Sequence, residues 1–220
     1  ELRPRRGSIS YEPTELVVTA RAGTPLQELQ ATLAQAGQAL AFEPPHFALG
    51  DKQPTVGGMV AAGWSGPARA SSGAVRDFVL GVEIINGRGE LLRYGGQVMK
   101  NVAGYDVSRL MAGSWGTLGV ITEVSLKVLP VAPAQATLVF AMDEAQALEA
   151  LNRWGGQPLP LNASCWAQGQ LWLRLCGAQA AVQAACQKLG GERLPDDQAA
   201  ALWHSLREQQ HPWFAARSDA

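Results

Sequence analysis

Along residues 119–129 apolar and polar side chains alternate, with Val120, Thr122, Val124, Leu126 and Val128 on one side and Glu123, Ser125 and Lys127 on the other. A period of two predicts a strand with one buried face. Upstream, the apolar run Leu16–Ala20 predicts a second strand. Leu26, Leu29 and Leu33 then recur at helical spacing, behind Thr24, Pro25 and Gln27. That start predicts a capping box between Thr24 and Gln27, with Pro25 in the first turn, and Gly37 predicts the end. Val79–Ile85 and Glu90–Arg93 flank Asn86-Gly87-Arg88-Gly89, a hairpin signal. Tyr105 and Asp106 predict a short helix capped by Asp106, with Leu110 and Met111 buried.

The texture changes after Pro130. VLPVAPAQA, Val128 to Ala136, carries two prolines and reads as a joint between two domains, 1–131 and 136–215. Beyond it, residues 136–142 predict a strand, and Asp143 with Gln146 predicts a capped helix running to Trp154. Residues 162–167 and 170–176 predict strands around a tight Gln168-Gly169 turn, followed by a helix over 178–189 and a short strand over 191–194. The order β-α-β-β-α-β is the split βαβ plan of ferredoxin-like domains. A last helix is expected over 198–209, and the tail His211-Pro212-Trp213-Phe214 is a candidate apolar anchor for a partner.

Composition narrows the function classes. A chain of 220 residues with 47% hydrophobic and 17% charged residues is globular in composition, and a net charge of -1 gives no reason to expect nucleic acid or an anionic membrane surface. No run of about eighteen apolar residues predicts a membrane span, and Glu1–Ser10 lacks the apolar core of a signal peptide. The cytoplasm is the expected compartment. Three cysteines without C-x-x-C spacing and three scattered histidines predict neither a disulfide framework nor a metal site.

Glycine is the uneven component: residues 50–119 hold 15 of the 24. Pro54–Gly66, PTVGGMVAAGWSG, is the densest stretch, and Gly113–Glu123, GSWGTLGVITE, is the second. Neither G-x-x-x-x-G-K-[ST] nor G-x-G-x-x-G is present, so a P-loop hydrolase and a Rossmann site are unsupported. Glycine admits positive φ and lets a ligand lie against bare amides, which hold a pyrophosphate without Lys or Arg. Lys52 is the only basic residue in 50–66.

TVGGMVAAGWSG, AVRDFVLGVEIINGRGEL and GGQVMKNVAGYDVSRLMAGSWGTLGVITEVSLKVLP together resemble the FAD-binding domain of the vanillyl-alcohol oxidase type, and more narrowly the E-subunit family of bacterial glycolate oxidases. The resemblance runs from about Tyr11 to the end. It implies an α+β FAD-binding domain followed by a ferredoxin-like cap. FAD contacts are implied at Pro54, Thr55, Val56, Gly57 and Gly58, at Ala62, Gly63, Ser65 and Gly66, and at Gly116, Gly119, Val120 and Ile121. In this family the domain opens with a strand and a glycine-rich loop that cradle much of the pyrophosphate. That portion is expected ahead of Tyr11, so the domain reads as incomplete at the N-terminus. Trp115 stands where many relatives carry Glu.

A flavin enzyme acting on 2-hydroxy acids needs a cation for the carboxylate and a base for the hydroxyl proton. Lys100 and Asn101 are candidates for the flavin pocket, and His46, fixed by Pro44 and Pro45, is a candidate for its edge. Arg76 reads as a structural partner of Asp77. No catalytic residue is assigned. Relatives that oxidise 2-hydroxy acids handle substrate through histidines of the cap and C-terminal region, and 131–203 contains none. The resemblance therefore implies a flavin subunit of a multi-subunit glycolate oxidase, beside a second flavin subunit and an iron–sulfur subunit, touching the membrane only through partners. A self-sufficient flavin dehydrogenase for a small 2-hydroxy acid, or a structural subunit without flavin, are the alternatives.

Overall fold

The computed structural model describes residues 6–47, 53–97 and 104–215. The described residues fall into two compact units, one from Glu1–Ser65 with Gly73–Val131, the other from Gly66–Ser72 with Ala132–Ala220. The short stretch Gly66–Ser72, which the sequence reading kept in the first part, groups with the second.

In the first unit, β1 (Ser8–Glu12), β2 (Val17–Arg21), β4 (Val79–Ile85), β5 (Leu91–Gly95) and β6 (Val120–Lys127) make a five-stranded sheet in the order β1-β2-β6-β4-β5. Every neighbouring pair is antiparallel. The two-residue strands β3 (Gln38–Ala39) and β7 (Leu129–Pro130) pair separately. One sheet face presents Val18, Ala20, Val82, Ile84, Val124 and Leu126 to α1 (Leu26–Gln35) and α2 (Val56–Ala62). Leu26, Leu29 and Leu33 of α1 are fully buried there, each worth up to about 1.5–3 kcal/mol on an extended-chain reference. The other face is polar: Thr19 and Ser125 hydroxyls lie 2.8 Å apart and Gln97 donates to Thr19. Beside them Arg93 holds buried Glu83 through Nε and NH2, both at 2.7 Å.

Three expectations change here. The α1 start carries no capping box, because Thr24 Oγ1 is engaged by Gly7, accepting from its amide at 2.9 Å and donating to its carbonyl. The incoming chain supplies the acceptor instead, with the Leu26 amide donating to the Pro54 carbonyl at 2.9 Å. The alternation of β6 is also broken. Glu123 pairs with Glu83 but Ile121 pairs with Ile84, so Thr122 is an extra residue on β6. Such a bulge shifts the side-chain phase by one. Val124, Leu126 and Val128 stay in the core, Ile121 joins them, and Val120 turns out at 48% exposure. Thr122 is itself buried, its hydroxyl donating to Glu83 Oε1 at 2.8 Å. In the short helix Val107–Leu110, Asp106 accepts from the Arg109 amide and Met111 is buried. Leu110, expected inside, is exposed.

In the second unit, β8 (Ala134–Ala141), α3 (Glu144–Gly155), β9 (Leu161–Ala167), β10 (Gln170–Gly177), α4 (Gln179–Leu189) and β11 (Glu192–Arg193) follow the ferredoxin-like order, with sheet order β11-β8-β10-β9. The β9–β10 turn places Gln168 and Gly169 at φ 52° and 77°, the two positive values of the favoured hairpin turn. Leu138, Leu171, Leu173 and Leu175 pack with Ala147, Ala150 and Trp154 of α3 and with Val182 and Ala185 of α4. A further helix, α5 (Asp196–Arg207), brings Trp203 against Ala163. The Trp203 indole donates to Thr137 Oγ1 at 2.9 Å, with the Arg174 guanidinium 4.7 Å from its ring centre. Burial pushes the Cys165 thiol up from its ordinary value.

The capping box of α3 is fully formed: Asp143 accepts from the Gln146 amide at 2.8 Å, and Gln146 accepts from the Asp143 amide at 3.1 Å. Asp143→Ala is expected to cost about 1 kcal/mol, read from the shift of the urea midpoint at unchanged m-value.

Candidate functional site

The glycines of α2 answer first to neighbouring backbone. Thr55 caps the helix, its hydroxyl accepting from the Gly58 amide at 3.2 Å, and Gly63 ends it in the left-handed region at φ 70°. The Val56 amide donates to the Thr24 carbonyl at 2.9 Å and the Gly57 amide to the Ala22 carbonyl at 2.8 Å. A Cβ on Gly57 would stand 2.5 Å from the Ala22 Cβ, and one on Gly63 would stand 2.9 Å from the Gly113 Cα. The side chains are missing because α2 lies directly on the end of β2 and on the loop at Gly113. The first amides of α2 are therefore spent inside the protein.

That loop is stitched to the far end of the same helix. The Gly113 amide donates to the Val60 carbonyl at 3.0 Å and the Trp115 amide to the Ala61 carbonyl at 2.9 Å. Trp115 and Gly116 then take φ 53° and 76° and Gly119 takes φ 152°. Gly119 also passes close to β4, where a Cβ would stand 2.9 Å from the Ile85 carbonyl oxygen. The amides of Gly23, Gly116 and Gly119 find no acceptor among the described residues. Ser114, at the base of the loop, has a buried Oγ without a partner among the described residues.

Between the end of β2, α2 and this loop lies a cleft of about 470 Å³, lined by Ala22, Gly23, Gln53, Thr55, Gly57, Gly58, Ala61, Gly116, Gly119, Val120 and Ile121. None of these described residues carries a charge, so what they offer a ligand is backbone donors, the Gln53 and Thr55 side chains and shape. A second space of about 330 Å³ shares Gln53, Thr55 and Gly58 with it and is walled by Pro44, Pro45, His46, Phe47, Met59, Trp64 and Trp115.

The structure thus brings Thr55, Gly57, Gly58, Gly116, Gly119, Val120 and Ile121 to one cleft, and Pro54, Ala62 and His46 to the adjoining slot. Other candidates sit elsewhere. Val56 is fully buried in the core, and Gly63 packs on Gly113. Ser65 is buried, its hydroxyl accepting from the Val75 amide at 3.1 Å. Gly66 belongs to the second unit, while Lys100 and Asn101 lie outside the described residues. Asp77 accepts from the Ala74 amide, and no bond between it and Arg76 is present. Sequence reasoning missed Ala22-Gly23, Gln53 and the aromatic pair Trp64–Trp115. The small pair ahead of Thr24 was a signal; the aromatic pairing had none, being fixed by the loop's path.

A cleft of exposed amides beside an antiparallel sheet and glycine-rich turns, ahead of a ferredoxin-like unit in the chain, suits a dinucleotide cofactor held by backbone groups. Residues 2–95 match the family model described as FAD binding domain. The chain is 51% identical to glycolate oxidase subunit GlcE of Escherichia coli (strain K12), across 98% of this chain and 59% of that protein. It is 40% identical to glycolate oxidase subunit GlcD of Bacillus subtilis (strain 168), across 39% of this chain and 18% of that one. The fold matches solved alkyldihydroxyacetonephosphate synthase with a TM-score of 0.71 at 18% identity, covering 96% of this chain and 46% of that chain. The chain spans a little over half the length of the GlcE relative. FAD is the cofactor this domain is built for, and the amides of Gly23, Gly116 and Gly119, without an acceptor among the described residues, suit a group rich in acceptor oxygens.

Proposed function

We propose that this chain holds the FAD of a glycolate oxidase complex that oxidises a small 2-hydroxy acid, glycolate, and passes the electrons towards the respiratory chain. A second flavin subunit and an iron–sulfur subunit complete the complex, on the cytoplasmic side. Among the described residues no helix is long and apolar enough to cross a membrane, and in this reading contact with the membrane comes through the partners. The observation that carries it is the 51% identity to GlcE over nearly the whole chain, joined to a cleft whose donors are backbone amides.

Within that reading the geometry supports the following roles for this chain's residues. Gly23, Gly116 and Gly119 offer N–H groups to phosphate or ring oxygens, Gly58 and Ala61 keep the wall low, and the Thr55 hydroxyl fixes the turn of the wall. Apolar Val120 and Ile121 exclude water from one side. Bound there, FAD supplies a two-electron acceptor, so that a 2-hydroxy acid losing a hydride from carbon and a proton from its hydroxyl becomes a 2-oxo acid. His46 lines the adjoining slot; no residue of this chain is assigned as the base.

Anaerobic titration of the purified full-length protein with glycolate tests the assignment. The flavin absorbance band is expected to persist with the protein alone and to bleach once partner subunits are added. Bleaching of the isolated protein would point instead to a self-sufficient dehydrogenase. A full-length protein that takes up no flavin would overturn the reading.

A further inference from the structure

We infer that the slot walled by Phe47, Trp64 and Trp115 receives the isoalloxazine ring of FAD, with Trp115 as the positioning residue stacked against it; this rests on the FAD reading above. Trp115 is a bulky residue at φ 53°, a conformation that costs a non-glycine residue and that concentrates at functional sites. Glycine would sit there without strain, and glycines do occupy 113, 116 and 119 of the same loop. Packing does not explain the tryptophan, because its side chain is 67% exposed. Its backbone is nonetheless pinned by the amide bond to the Ala61 carbonyl.

The Trp115 ring faces another ring across the slot. Trp64 and Trp115 meet edge to face with centroids 6.3 Å apart, and Phe47 and Trp64 do so at 4.6 Å. Pro44, Pro45 and Met59 close the remaining walls. An apolar, flat-walled space of about 330 Å³ suits a planar ring system. It adjoins the amide-lined cleft, with which it shares Gln53, Thr55 and Gly58 as lining. A ligand with phosphates at one point and an electron-poor ring at another spans both, and an electron-rich indole is a favourable stacking partner for that ring.

Titration of the full-length apoprotein with FAD, FMN and ADP, followed through flavin and tryptophan emission, tests this. Wild-type protein is expected to quench flavin emission on binding FAD and FMN. Trp115→Leu is expected to weaken FAD by about tenfold, the worth of one stacked aromatic pair, and to restore much of the emission. Trp115→Phe should retain most of the affinity. Trp115→Gly should melt no lower than wild type without cofactor, since the backbone strain is relieved, yet bind FAD as weakly as the leucine variant. A purely structural tryptophan would give the opposite pattern, with a lowered melting temperature and unchanged quenching, and that would overturn the inference. Quenching of tryptophan by ADP but not by FMN would also overturn it, placing adenine in the slot. Wild-type protein that binds neither FAD nor FMN would remove the FAD reading itself, and this inference with it.

Discussion

Gly57→Ala is expected to destabilise the protein by about 2–4 kcal/mol, although alanine is the better helix former. Propensity alone predicts a gain of about 1 kcal/mol for this change inside a helix. Contact predicts the reverse. The new Cβ would stand 2.5 Å from the Ala22 Cβ and 3.1 Å from the Ala22 carbonyl oxygen, and a methyl group has no rotamer in which to escape. Helix α2 must then lift from the end of β2. Lifting stretches the Gly57-to-Ala22 and Val56-to-Thr24 hydrogen bonds, each worth about 1 kcal/mol net, on top of about 1–3 kcal/mol for overpacking. For a chain of this size the melting temperature should fall by roughly 5–15 °C. Gly58→Ala is the control: its Cβ meets only the Thr55 Oγ1, at 3.2 Å, so propensity should win and stability should hold or rise slightly. Equal melting temperatures for the two variants would show that the helix does not sit on the strand as closely as described.

Gly119→Val is expected to weaken FAD binding by a hundredfold or more, the equivalent of about 3 kcal/mol. At φ 152° the residue occupies a region reserved for glycine. Its Cβ would also meet the Ile85 carbonyl oxygen at 2.9 Å and the Ile84 Cδ1 at 3.3 Å. The loop can relieve this only by peeling away from β4, which carries Gly116 and Val120 out of the cleft wall. Isothermal titration with FAD reads the effect directly. Retained affinity together with an unchanged melting temperature would contradict the described path of the loop. Gly116→Ala separates strain from contact: nothing lies within 4 Å of its Cβ, so only the cost of positive φ, about 1–2 kcal/mol, applies.

Both arguments depend on long-range neighbours, and there the sequence was least informative. The glycines of 54–66 and 113–119 were conspicuous, and their concentration located the cleft. What they faced was not legible. Gly57 answers to Ala22 and Gly63 to Gly113, so part of the glycine signal comes from backbone packing against backbone. Among the described residues, the cleft amides without an acceptor include those of Gly23, Gly116 and Gly119, whereas the first turn of α2 is engaged. The start of α1 misled for a similar reason, since Thr24 has all the marks of a cap but is taken by Gly7. In β6 the alternation was real over Val124, Leu126 and Val128. It failed at Val120–Thr122 because the bulge is set by the partner strand and by the hydrogen bond between Thr122 and Glu83.

By itself the sequence determined what local chemistry controls: the Asp143–Gln146 cap of α3, the Gln168-Gly169 turn, the β-α-β-β-α-β order and the presence of glycine where chains must cross closely. Such features are settled within a few residues, by propensity, capping and periodicity. Only the tertiary structure decided which amides stay unpaired, which face Val120 presents and how Trp115 comes to stand beside Trp64. Those outcomes turn on contacts between residues tens of positions apart, where one methyl group or one extra residue in a strand changes what meets what.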